Sequence, residues 1–217
     1  MKTLTKCCLF LILSINGNNL FAQVKRETAD DKSMMDYMKP GAMHEMMAKS
    51  AGLWNEEVTL WMSADASPVK STLNCMNKMI MGNRYLQGMN RGIVNGMPFE
   101  GISTVGYDNI KKVFVSTWID NMGTGIMYTE GQWNEANKSI EFTGKQADPM
   151  TGKEVKLRNV MKFIDDNNQS LEMYMTPAAG KEFKNMEIKY TRKASPPVNN
   201  GKQIVPASPP VNMDEKK

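Results

Sequence analysis

From Leu53 onward, apolar and polar residues alternate in short runs that recur at nearly regular intervals. The alternation is clearest late in the chain. Val155, Leu157, Met161 and Phe163 fall on one face of an extended segment, while Lys156, Arg158 and Lys162 fall on the other. Leu171, Met173 and Met175 repeat the pattern, and so do Met186, Ile188 and Tyr190 against Glu187 and Lys189. A period of two predicts strands near 53–62, 69–80, 83–94, 97–107, 112–120, 124–133, 138–146, 153–165, 169–176 and 182–192. The intervening residues carry turn chemistry: Asn95-Gly96, Asp108-Asn109, Asn134 to Asn137, Asp148 to Gly152, Asp165 to Asn168 and Pro177 to Gly180.

One hairpin can be registered from these patterns. A two-residue Asn95-Gly96 turn sets Val94 opposite Met97. Arg91 then faces Glu100, Met89 faces Ile102 and Gln87 faces Thr104 on one side of the sheet. Gly92 faces Phe99, Asn90 faces Gly101 and Leu86 faces Val105 on the other. The opposite charges at 91 and 100 favour this register. Neither side is cleanly polar, as expected where a wall borders a semi-polar cavity or where a bulge intervenes. Loops this short leave no room for crossover helices, so the strands form an antiparallel meander. A meander of about ten strands removes its edges by closing on itself. The fold expected is all-β, an antiparallel up-and-down barrel of about ten strands with a short N-terminal helix; a two-sheet sandwich is second.

The ends read differently. Lys2 and Lys6 precede the apolar run Cys7 to Ile15, and Leu20-Phe21-Ala22-Gln23 resembles a cleavage region, so residues 1–22 read as a signal peptide. The apolar run is far short of the roughly 20 residues a spanning helix needs. The chain is therefore expected to be exported, to the periplasm or the medium, with no membrane insertion after cleavage. Cys7 and Cys8 stand at the start of the run, not at its end where a lipid-anchored cysteine belongs. Residues 23–39, charged and Met-rich without a period, read as a flexible arm or partial helix. Pro40 to Ala51 reads as a helix with Pro40 in its first turn, stopped by Gly52. Residues 194–217 repeat Ala-Ser-Pro-Pro-Val-Asn and read as a disordered tail, which leaves 40–193 as the folded domain.

Composition narrows the chemistry. The net charge of +4, two units of it in the leader, is too mild to imply nucleic acid. Beyond the leader only Cys75 remains, so no internal disulfide can form, and its place in an alternating run predicts a buried, inert thiol. The chain holds 1 histidine, His44. No nucleophile elbow, phosphate loop, dinucleotide fingerprint, His-Glu-x-x-His or Cys-x-x-Cys is present, and no cofactor is implied. Haem would require His44 as its axial ligand, on a helix capping the barrel mouth.

Along the chain stand, in order, Pro40-Gly41 followed by His44, Gly52-Leu53-Trp54, Met81-Gly82-Asn83-Arg84-Tyr85-Leu86, Gly96-Met97-Pro98-Phe99-Glu100-Gly101, Gly106-Tyr107-Asp108 and Trp118-Ile119-Asp120. Together these motifs resemble a bacterial family, the domain of unknown function DUF1579. The resemblance spans roughly residues 36–193. It implies a compact β-rich domain, a lipocalin-like (calycin-like) β-barrel, and carries no activity with it. Asn83 stands where the family commonly has a second glycine, and the methionine content is high. Asn tolerates a left-handed turn, so the fold is unaffected.

Arg84, Tyr85, Glu100, Trp118 and Asp120 are the polar and aromatic groups with the best claim to a pocket. Arg84 is suited to a ligand carboxylate and Trp118 to stacking on an apolar ring. The reading preferred is a non-enzymatic binder of a small, mostly apolar molecule. Its rivals are an enzyme using Glu100 and Asp120 as a carboxylate pair, a copper protein, and a solidly packed interaction scaffold. The copper reading draws on His44 with Met43, Met46 and Met47, a soft ligand set for Cu(I). Against it, Met recurs at ordinary strand positions and fills helix faces well.

Overall fold

The structure, a computed structural model, describes residues 29–194. The expected signal peptide, residues 23–28 of the arm and the tail from 195 onward lie outside the described residues. Two helices, α1 (Ala29–Met38) and α2 (Ala42–Ala48), precede ten strands. The strands are β1 (Gly52–Leu60), β2 (Val69–Ile80), β3 (Tyr85–Val94), β4 (Met97–Asp108), β5 (Val113–Asp120), β6 (Met127–Asn134), β7 (Ser139–Ala147), β8 (Glu154–Phe163), β9 (Asn168–Thr176) and β10 (Phe183–Arg192). Each pairs antiparallel with its sequence neighbours, and β1 also pairs with β10. The sheet is thus a closed up-and-down barrel, not a sandwich.

Turn chemistry sets the register as the sequence suggests. Asn95 and Gly96 take φ of 51° and 78°, and Val94 pairs with Met97. Arg91 then meets Glu100 and Asn90 meets Gly101. Between β2 and β3, Met81, Gly82 and Asn83 all take left-handed φ, a conformation that asparagine tolerates. The strands tilt strongly. One row of partners leaves Leu60 at the far end of β1 and runs through Met186, Met173, Asn159, Phe142, Gly131 and Phe114 to Tyr107 at the opposite end of β4.

The N-terminal segment decides one open expectation and corrects another. Of the stretch read as a loose arm or partial helix, residues 29–38 form a helix. Asp30 and Asp31 in its first turn suit the positive end of the helix dipole. Its last carbonyls are held by the barrel: Asn109 Nδ2 donates to the carbonyls of Asp36, Tyr37 and Lys39, and Arg84 Nη2 donates to Met38 O at 2.6 Å. These tertiary partners, invisible in local periodicity, order the segment. The second helix is shorter than expected. Gly41 caps it, so Pro40 lies just outside it, and the chain leaves the helix at Ala48 before entering β1.

Helix α2 lies across one end of the barrel. Met47 packs with Phe114, Ile140 and Phe142, and Met43, Met46, Leu86, Val105 and Tyr107 surround this cluster. That end is closed by apolar packing.

Candidate functional site

Which side chains enter the lumen follows from Trp54, which is wholly buried. Its partners in register are Cys75, then Asn90, Gly101 and Asp120. Two residues along β1 stands Glu56, paired with Leu73 on one side and with Tyr190 on the other. Because rows of partners climb around a tilted barrel, residues at one height come from different rows. Glu56 reaches about the same height as Cys75, Asn90, Ser103, Ser116, Thr129, Asn159 and Tyr190. These side chains form a polar belt around the middle of the lumen. Below it lies the apolar floor under α2; above it lie Met127, Phe99 and Trp118 at the mouth. Val105, Ser116, Leu171, Met173 and Ile188 face inward yet keep partial exposure, so solvent reaches the lumen.

Glu56 is 1% exposed. Burial pushes its carboxyl up to about 7, offset in part by a hydrogen bond from Cys75. Among the described residues it has no cationic partner. The Cys75 thiol lies within reach of both this carboxyl and Asn77 Oδ1, the latter at 3.2 Å. Burial and then the Glu56 charge push the thiol up, so it stays protonated and is no nucleophile at neutral pH. The Tyr190 hydroxyl is enclosed and also raised, first by burial and then by Glu56. Asn90 Nδ2 donates to Gly101 O at 3.3 Å. Thr129 Oγ1 and Asn159 Oδ1 have no partner, although Thr129 is 1% and Asn159 5% exposed.

The residues singled out from sequence divide into two sets. Arg84 sits outside the barrel at the β2–β3 turn, bonded to the carbonyls of Met38, Met81 and Gly82. Tyr85 lies on the outer face over Gly106. Glu100 is also outside, paired with Arg91 at 2.6 Å. Trp118 and Asp120 do enter the lumen, at its mouth. The Trp118 Nε1–H donates to Asp120 Oδ2 at 2.7 Å, and the indole stacks on Phe99 with centroids 6.2 Å apart. Gly101 permits this, since a Cβ there would lie 2.4 Å from the indole. Asp120 Oδ1 accepts the Met122 N–H. Asp120 pairs with Gly101, so Glu100 points to the opposite side of the sheet and the two carboxylates do not meet.

The Met and His group serves the cap. His44 is buried, its Nδ1 accepts the Gly41 N–H at 3.1 Å, and its ring meets the Tyr107 ring edge-on at 6.0 Å. Burial lowers its pKa. Met47 packs with Phe114, Ile140 and Phe142, and Met43 and Met46 pack against that cluster. A metal or haem iron would have to displace these contacts. Outside the barrel, an open groove of about 760 Å³ runs along β5 to β7, lined by Glu130, Trp133, Glu135 and Glu141. Each of these carboxylates already has a cationic partner: Lys111, Lys138 and Arg158.

Glu56, Thr129 and Asn159 were not anticipated. The signal for two of them was present: Glu56 interrupts Trp54 and Val58, and Asn159 interrupts Val155, Leu157, Met161 and Phe163. A single polar residue inside an apolar alternation marks a group facing an enclosed space.

Fold and site together define a closed antiparallel barrel with a capped floor and a polar belt in its lumen. The chain belongs to the family described as protein of unknown function (DUF1579), whose model matches residues 39–192. Among solved structures it is similar to the crystal structure of Rv2717c from M. tuberculosis, at TM-score 0.53 and 14% identity, over 72% of this chain and 100% of that one. It is also similar to the S-type phycobiliprotein lyase CPES from Guillardia theta, at TM-score 0.53 and 8% identity, over 75% and 98% of the two chains. At such identities the likeness concerns the fold. A comparison with curated proteins finds no matching sequence.

Proposed function

We propose that the protein is an exported, non-enzymatic binder that holds a small, mostly apolar molecule in the lumen with its polar end at the belt. The observation that carries this reading is the pair of unpartnered polar atoms, Thr129 Oγ1 and Asn159 Oδ1, on inward-facing side chains. Leaving a buried polar atom unsatisfied costs about 1–3 kcal/mol, which a guest with a matching group recovers. The apolar floor and the Phe99–Trp118 stack at the mouth suit the rest of such a guest. Export rests on the leader sequence.

Native mass spectrometry of protein purified from its own host tests the reading. A co-purifying small molecule, released on denaturation, is expected. Protein that arrives without one and binds no apolar dye would be a filled scaffold. A second reading, an acid–base enzyme, draws on the near-neutral carboxyl of Glu56. It would appear as conversion of the co-purified molecule on incubation, lost in Glu56→Gln.

A further inference from the structure

Resting on the binding reading above, we infer that the guest presents hydrogen-bond donors to the belt, as the ammonium group of an apolar amine does, and is not a carboxylate or phosphate. On the described strands the lumen carries two carboxylates and no uncommitted cation, and the unpartnered Asn159 Oδ1 can only accept a hydrogen bond. Glu56, Asn159 Oδ1 and Thr129 Oγ1 all face it, the last two without partners. Its acids are Glu56 at mid-height and Asp120 at the mouth. Its one base on the described strands is Arg192, two residues beyond Tyr190 toward the floor. That guanidinium is already committed, to Asp166 O at 2.7 Å, Ala51 O at 2.7 Å and Lys49 O at 2.6 Å, with its face on Trp54. Arg84, the residue the sequence suggested for an anionic guest, lies outside the barrel. An anion entering the lumen would lose its hydration and gain no counter-charge. A cation would pass the Phe99 and Trp118 rings and Asp120, then reach Glu56.

The groups facing Glu56 leave it as the titrating member of the belt near neutrality. Cys75 from β2 and Tyr190 from β10 are both held protonated, and Asn159 and Thr129 across the lumen carry no charge. Glu56 ionises through about pH 7, so its attraction for an ammonium group grows as pH rises through that value.

The test is displacement of the apolar dye N-phenyl-1-naphthylamine from the purified protein by decylamine, decanol and decanoate at pH 8. Decylamine is expected to bind at least about tenfold more tightly than decanoate, the value of one charge-assisted hydrogen bond. The preference should shrink at pH 5.5, where the amine is still charged and Glu56 is not. In Glu56→Gln at pH 8 the amine should lose its advantage while decanol binds as before. If that variant does not fold, Asn159→Leu should weaken decylamine more than decanol. Decanoate binding as well as decylamine, or a preference unchanged in both variants, overturns the inference and leaves the binding reading standing. Failure of the dye and of all three chains to bind removes the binding reading itself, and the inference with it.

Discussion

The floor of the barrel and the belt above it are built from the same strands, two residues apart. On β1, Trp54 is apolar core and Glu56 a buried carboxyl; on β8, Met161 packs on the floor and Asn159 Oδ1 is left without a partner. Trp54, Glu56 and Asn159 all face inward and are all buried, so burial alone does not distinguish the two layers. The floor satisfies every demand that burial makes, through contact among Phe114, Ile140, Phe142 and Met47. The belt leaves demands open. A layer that sacrifices stability where its neighbour maximises it is the expected mark of a site.

Four substitutions would break or sharpen this contrast. The largest effect belongs to the floor: Phe114→Ala should cost about 3–5 kcal/mol in urea unfolding, because α2 and its methionines cannot refill the void. A loss under about 1 kcal/mol would mean the floor is loose. Glu56→Gln should act in the opposite sense and depend on pH. The Glu56 pKa is raised on folding, so the native protein is stabilised relative to the unfolded chain only while Glu56 is protonated. That advantage is lost as pH rises from about 4.5 to about 7. The stability of Glu56→Gln relative to the parent should therefore climb across this window, by up to about 3 kcal/mol, and stay level above it. Thermal melts at pH 4, 6 and 8 would show it.

Asn159→Leu comes next. Removing an unsatisfied buried atom should raise the stability of the guest-free protein by about 1–2 kcal/mol. A loss of stability would show that Asn159 already has a partner, such as bound water. Least should follow from Arg91→Ala. The Arg91–Glu100 pair is exposed on both sides, and its removal should change the unfolding free energy by less than about 1 kcal/mol.

The strands and their order were legible in the sequence because period-two alternation and turn residues are local signals. The Asn95-Gly96 hairpin could even be registered. Closure followed from the same logic, since ten strands in sequence have edges to hide. The site was less legible. Glu100 and Asp120 sit near each other in motifs, but facing requires register across β4 and β5, and that register separates them. Arg84 looks like an anion ligand in one dimension; only the fold shows its guanidinium stapling the end of α1. The belt is harder still, because its members converge through strand tilt from seven separate strands and β10. No spacing in the chain encodes that height.

The seam between β1 and β10 joins the first strand to the last, and Tyr190 reaches Glu56 only across it. Until the final strand docks, this carboxylate remains hydrated on an open sheet edge; docking is the step that strips its water. Zipping the cylinder shut is then a proton-coupled event. Refolding should accelerate as the solution is made mildly acidic, and a newly made chain should complete its last ladder more readily in acid than in alkali.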